Sequence, residues 1–324
     1  MFRPEEVIFA PTSRCNLACA HCRVTRTDAG LSPDAAIRFL ESCRDGGIEL
    51  VGFSGGEPFL APDFLERVVR AAVGYDLRFD RLMTNACWFR DRTELRDRLD
   101  RLADAGFDGT LGVSFDRWHG QEPETVALFI EESFAAFGRK DCVEIVAVDD
   151  RAGKAPLDLL ETLSGRLGAA LELDGDRPLR LFDPLVRDDD PSGYDDPDRL
   201  VIPVVTLPYS PAASEDAWGD GPWFEDDYCE GPGNVLYVHP DGSVAVCCGF
   251  ANECPELVVG NIATDGCDAL LRNARGKPQV RACYETGLAT VRKALEASGT
   301  RFPGTTADPC FFCDWLCANR VRLP

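Results

Sequence analysis

Cys15, Cys19 and Cys22 stand in the order C-x3-C-x2-C within PTSRCNLACAHC. Fifteen cysteines scattered at random over 324 residues would produce that triplet about 0.03 times, so the spacing carries information. Thiolates are soft ligands that select iron-sulfur clusters, zinc or copper(I). Three of them on one short loop can wrap three corners of a cubane cluster and leave its fourth iron open. A structural zinc site wants a fourth ligand. His21 lies in the loop, but between two of the cysteines, where it is hard to bring round to the same metal.

Nine of the fifteen cysteines fall from Cys229 onward. Cys229 is followed by twelve residues, Gly242, four residues and Cys247; far downstream come Cys310-Phe-Phe-Cys313 and Cys317. Four thiolates close a cluster. A C-x2-C pair is also a zinc signature, and Cys310, Cys313 and Cys317 would be its ligands. Cys43, Cys87 and Cys142 lie alone within periodic apolar segments and read as small buried hydrophobes, and Cys267 and Cys283 read as structural.

The elements that must position these residues alternate regularly. Short apolar runs at 7–12, 48–54, 81–85, 110–116, 143–149 and 179–186 read as strands. Between them, 32–44, 62–73, 92–106, 123–138 and 155–172 carry apolar residues at three- and four-residue spacing, several opening on Pro-Asp or Pro-Glu, which suits a helix start. Repeated β-α units force parallel strands with right-handed crossovers, so the fold class is α/β: a partial (β/α)6 parallel barrel over 1–186. The stretch 187–228 is acidic and turn-rich and reads as a linker or lid. From 229 to 324 we expect a small C-terminal iron-sulfur domain, opening with a β-hairpin, NVLYV and SVAVCC around His-Pro-Asp-Gly.

The charge excludes some partners. With 34 Lys and Arg against 55 Asp and Glu, the net charge is −21, a field that repels nucleic acid and anionic membranes. The bulk of this acidity reads as solvated surface. The start MFRPEEVIF lacks a secretory signal, and no run of about 18 apolar residues occurs. A cytoplasmic location is therefore expected, where thiols stay reduced and metal binding outranks disulfides.

On these residues the sequence resembles the radical S-adenosylmethionine superfamily. After the second strand, GFSGGEP carries Gly55, Gly56 and Glu57, similar to that family's GGE segment, which meets the cofactor's amino group. Glycines let backbone approach a ligand, and a carboxylate pairs with an ammonium. The third strand ends in Thr84 and Asn85, as it often does in that family, and the fourth ends in Ser114 and Asp116, at the positions where the family reaches the cofactor ribose; Asp183 to Val186, including Leu185, resembles the segment beside the adenine. Read without the resemblance, Thr84 and Asn85 end a strand, and Ser114 and Asp116 cap a helix. All these positions fall at the C-terminal ends of consecutive strands, where parallel α/β barrels place their sites.

The resemblance implies a [4Fe-4S] cluster on Cys15, Cys19 and Cys22 that binds S-adenosylmethionine and, with one electron from a donor such as flavodoxin or ferredoxin, yields a 5′-deoxyadenosyl radical. The C-terminal cysteines resemble the twitch and SPASM extensions of the same family. The longer SPASM form has C-x2-C-x5-C-x3-C, whereas this chain has C-x2-C-x3-C and no cysteine shortly before Cys229. One auxiliary cluster on Cys229, Cys247, Cys310 and Cys313 is thus implied, with Cys317, Cys248 and Cys254 as spare ligands that could replace one of the four or help to hold a second cluster.

An auxiliary cluster suits an oxidoreductase: oxidative modification of a peptide, of the kind that matures ribosomally made peptide products, or dehydrogenation of a small alcohol or amine. A redox-neutral epimerase, with Cys248 or Cys317 returning the hydrogen, is the alternative. A non-catalytic iron-sulfur electron carrier or sensor would need neither Glu57 nor the strand-end residues. His119 is either a substrate contact or base, or a cap of the following helix; Trp118, Trp223 and Trp315 read as packing.

Overall fold

The computed structural model describes residues 2–44, 46–184, 199–209, 215–219, 221–225, 229 and 234–323. In its first half, β1 (Glu6–Phe9), α1 (Pro33–Cys43), β2 (Leu50–Phe53), α2 (Pro62–Gly74), β3 (Arg78–Thr84), α3 (Arg92–Asp104), β4 (Thr110–Ser114), α4 (Pro123–Phe137), β5 (Val143–Val148) and α5 (Leu157–Arg166) alternate as expected. Local chemistry sets the helix ends. Ser32 accepts the Ala35 N–H ahead of Pro33, Asp91 accepts that of Glu94 at 2.9 Å, and α4 stops at Gly138, whose φ of 64° is open to glycine at no steric cost. On α2 the buried residues Phe64, Leu65, Val68, Val69 and Ala72 form one stripe against the sheet.

The next elements depart from the sequence reading. The run at 179–186 is not the sixth parallel strand. Ala170–Asp174 forms β6 and Arg177–Phe182 forms β7, an antiparallel hairpin that turns at Asp174-Gly175, where Gly175 has φ of 60°. Asp-Gly between two apolar runs is a strong hairpin signal, and the fifth helix is correspondingly shorter than 155–172. The strand that continues the parallel order is β8 (Val201–Leu207), within the stretch read as linker or lid. Its VIPVVTL alternates in burial; the acidic, turn-rich flanks masked that period-2 pattern.

The hairpin expected near 235 is present: β9 (Val235–Val238) and β10 (Ser243–Ala245) flank a turn with Gly242 at φ of 82°, and β11 (Val258–Asn261) follows. It continues the main sheet, because β9 pairs in parallel with β1, Val7 opposite Leu236 and Phe9 opposite Val238. The result is one eleven-stranded sheet in the order β11-β10-β9-β1-β2-β3-β4-β5-β8-β7-β6. Four helices complete the chain, α6 (Cys267–Arg275), α7 (Pro278–Arg281), α8 (Leu288–Ala297) and α9 (Pro309–Ala318). Among the described residues, no helix is long and apolar enough to cross a membrane.

Candidate active site

The loop bearing Cys15, Cys19 and Cys22 leaves the C-terminal end of β1 and lies against the segment after β2. Gly56 and Glu57 donate their backbone N–H groups to Thr12 and Arg14 carbonyls at 2.9 and 2.8 Å. A Cβ at Gly56 would stand 2.1 Å from the Arg14 oxygen, and one at Gly55, whose φ is 108°, would stand 2.9 Å from Thr12 O. The two glycines are thus required by the close approach of the cysteine loop itself.

Glu57 is fully buried. Its carboxylate accepts from Phe59 N at 3.2 Å, Thr84 Oγ1 at 3.0 Å and Asn85 N at 2.8 Å, and burial pushes its pKa up to about 7 against the pull of these bonds. Asn85, held in this way, donates Nδ2 to Cys15 Sγ at 3.4 Å and to Asn16 Oδ1 at 2.8 Å. Gln121 donates to the Asn85 carbonyl at 2.7 Å and to that of Ser114. The ends of β2, β3 and β4 are therefore tied to one another and to the first cysteine.

Asp116 is buried and engaged: Oδ1 accepts from Trp118 N at 2.8 Å, from His119 N at 3.1 Å and lies 2.9 Å from His119 Nδ1, while Oδ2 accepts from Val148 N at 3.0 Å. This is the turn-capping geometry that the residue type allows. Burial would lower the His119 pKa, but hydrogen bonds to Asp116 and Cys19 outweigh it and raise it to about 9. The His21 ring meets His119 edge to face at 4.8 Å, and burial beside that imidazole lowers its pKa. His21 thus faces Asp116 and His119, with ligand atoms of all three within 4.8 Å of one another. Trp118 stacks on Tyr209. Leu185 lies outside the described residues.

Among the C-terminal cysteines, Cys229, Cys247, Cys310 and Cys313 line one small cavity. Asp308 caps α9 by accepting from Cys310 N at 2.7 Å, and the i, i+3 spacing then puts Cys310 and Cys313 on one face. Gly249 lies between sulfurs: a Cβ there would be 3.3 Å from Cys310 Sγ and 3.7 Å from Cys247 Sγ. Burial, and then the charges of neighbouring cysteines, push the Cys247 thiol up to about 12; burial, and then the Asp308 carboxylate and the cysteines, raise Cys310 as well. Such a set becomes thiolate only beside a strongly positive centre. Four thiols converging on one cavity are the donor set that closes a cubane iron-sulfur cluster.

The remaining cysteines divide. Cys254 lies beside Cys317, and Cys43 beside Cys267, whose N–H donates to Ser42 Oγ of α1 at 3.1 Å and joins α1 to α6. Cys142 is buried packing. Cys87, read as packing, instead meets Asn85 Oδ1 at 3.3 Å, close to the first cysteines. Cys283, read as structural, lines the cavity of the auxiliary set. Asn16 and Gln121 were also missed, since nothing in a single sequence marks a polar residue as a tether between strand ends.

A cavity of about 1060 Å³ lies at the C-terminal ends of the parallel strands. Cys22, His21, Ser114 and His119 line one side; Cys248 and Cys310 line another. Pockets that hold small ligands run to about 1,000 Å³, so there is room for a cofactor together with part of a substrate.

Residues 9–119 match the family model of the Radical SAM superfamily, and 229–286 match that of an iron-sulfur cluster-binding domain, SPASM. The chain is 31% identical over 127 residues to the probable GTP 3′,8-cyclase of Methanothermobacter marburgensis, covering 38% of each chain. It is 37% identical over 128 residues to the PqqA peptide cyclase of Rhodopseudomonas palustris, covering 36% of this chain and 32% of that one. The matched stretch therefore spans about a third to two-fifths of these relatives. The fold is shared with anSMEcpe bound to AdoMet and the Cp18Cys peptide, with a TM-score of 0.54 at 15% identity, covering 97% of this chain and 96% of that one. With both models matched in order along one sheet, residues 9–119 are a domain of the radical S-adenosylmethionine superfamily and 229–286 a C-terminal SPASM-type iron-sulfur cluster-binding domain.

Proposed function

We propose that this chain is an oxidative radical S-adenosylmethionine enzyme that modifies a peptide. The carrying observation is the single cavity whose walls include both Cys22 of the first cysteine loop and Cys310 of the auxiliary set. A substrate seated there lies between a place where a hydrogen atom is removed and one where an electron is accepted.

When bound, the cluster and its cofactor supply a primary carbon radical that abstracts one hydrogen from substrate carbon. Cys15, Cys19 and Cys22 would hold the first cluster, and Cys229, Cys247, Cys310 and Cys313 the auxiliary one. Asn85 steadies Cys15, while Glu57 fixes Asn85. Gly55 and Ser114 line the cavity in which the cofactor would lie, Gly56 lets the cysteine loop approach, and Asp116 orients His119. Val146, Val148, Val205 and Leu207 give the cavity an apolar wall that excludes water from a reactive radical. A peptide substrate is supported by the names of the PqqA peptide cyclase and the peptide-bound anSMEcpe structure; a small alcohol or amine would use the same chemistry.

The test is anaerobic reconstitution, reduction and addition of S-adenosylmethionine. Release of 5′-deoxyadenosine that disappears in Cys15→Ala supports the reading; equal traces from both proteins reject it. Redox-neutral epimerisation is the second reading, favoured by one observation: Cys248 lines this cavity, whereas Cys317 packs on Cys254.

A further inference from the structure

Five thiols, not four, surround the auxiliary cavity. Besides Cys229, Cys247, Cys310 and Cys313, the cavity is lined by Cys283. Its Sγ lies 3.9 Å from Cys313 Sγ. A cubane cluster separates neighbouring ligand sulfurs more widely than this, because each is bound to a different iron. Two sulfurs this close therefore occupy a single corner.

The backbone is shaped to bring the fifth thiol in. After α7 the helix widens into a π turn over Ala282–Thr286, closed by the Gly287 N–H to Ala282 carbonyl bond at 3.0 Å and released at Gly287, where φ is 88°. Such single π turns recur at functional sites because they re-aim one side chain. Here the widened turn carries Cys283. Its carbonyl also accepts the N–H of Cys229 at 3.3 Å, so this turn positions a second member of the set. Val280, Tyr284 and Leu288 line the same cavity beside the two thiols.

We infer that Cys283 and Cys313 are interchangeable ligands at one corner of the auxiliary cluster, the other three corners being Cys229, Cys247 and Cys310. This rests on the auxiliary-cluster reading above. Exchange at the corner moves one thiol off iron and one on, with a proton passing from the incoming thiol to the outgoing thiolate, so no electron is gained or lost. The cluster thereby has a replaceable ligand on the side of the π turn, away from the Gly249 contact with Cys247 and Cys310.

The test uses the full chain with Cys15, Cys19 and Cys22 all changed to Ala, so that only the auxiliary cluster can form. Iron, sulfide and the reduced EPR spectrum are then measured after anaerobic reconstitution. Cys313→Ala and Cys283→Ala, each alone, are expected to keep about four irons per chain, with a shifted EPR signal in Cys313→Ala. The double variant is expected to lose more than half of its iron while its far-UV circular dichroism stays with that of the single variants. Loss of the cluster in either single variant, or its retention in the double variant, overturns the inference and leaves the auxiliary-cluster reading standing. A starting background that binds no iron overturns both.

Discussion

Glu57 accepts the backbone N–H of Asn85 at 2.8 Å from a position with no exposure to solvent. That bond places the Asn85 amide against Cys15 Sγ, so a residue expected to act on a ligand directly also builds the support beneath the first cysteine.

Asn85→Ala removes the bond to Cys15 Sγ and the bridge to Asn16 while sparing all cluster ligands. Iron content should stay at the wild-type level. Release of 5′-deoxyadenosine should fall by about 10- to 150-fold, since a lost hydrogen bond to a charged group is worth about 1.5–3 kcal/mol. Unchanged turnover would show that the amide has no part in cofactor cleavage.

Burial raises the Glu57 pKa to about 7 in the folded chain, above its ordinary value near 4.5. The folded state therefore binds the proton more tightly than the unfolded state, and the associated stability is present below about pH 4.5 and is lost as pH rises through about 7. Without cofactor, the chain should lose up to about 3 kcal/mol of stability from Glu57 between pH 4.5 and 8. Glu57→Gln should flatten that component in urea unfolding followed across this range; a slope equal to that of the wild type would refute it.

Gly56→Ala puts a methyl group 2.1 Å from a backbone oxygen, which has no flexible end to move aside. A loss of more than about 3 kcal/mol, with iron incorporation failing at the first site, is expected. Gly74, at the end of α2 with nothing within 4 Å of a built Cβ, is the contrasting position. There Ala should stabilise by about 0.5–1 kcal/mol, as read from the thermal midpoint.

Cys248→Ser separates the two reaction outcomes. If the product is oxidised, the variant should keep product formation within about threefold of wild type, as expected for a cavity-lining change of similar volume. Incorporation of solvent deuterium into product by the wild type, abolished in Cys248→Ser, would instead establish the redox-neutral route.

Much of this was legible because it depends on local pattern. The C-x3-C-x2-C spacing, the first five strands and the hairpin at 235–245 follow from period, turn chemistry and ligand count, and the GGE segment from the family resemblance. The sixth parallel strand was not legible at Val201–Leu207, since acidic turn-rich neighbours hid its alternation, and the start of β6 at Ala170–Glu172 was taken for a helix tail. Asp116 shows a different limit. A carboxylate at a strand end reads equally as ligand contact or as turn cap, and only its four short contacts reveal how it is used in the folded chain. Cys283 and Cys87 gave no signal either, because a thiol's neighbours are set by packing rather than by spacing.

The pairing of β9 with β1 has a mechanical consequence. β1 ends at the first cysteine loop, and the β9–β10 hairpin leads into Cys247, so the first loop and one auxiliary sulfur hang from adjoining strands of one hydrogen-bonded ladder. Adjacent strands are held about 4.8 Å apart, so the sheet itself fixes how far Cys247 stands from the first cysteine loop. Cutting the chain before β9 would do more than remove sulfur ligands. It would bare the edge of β1, with unsatisfied amides and carbonyls beside Val7 and Phe9, and turn the catalytic half into a sticky strand edge prone to aggregation.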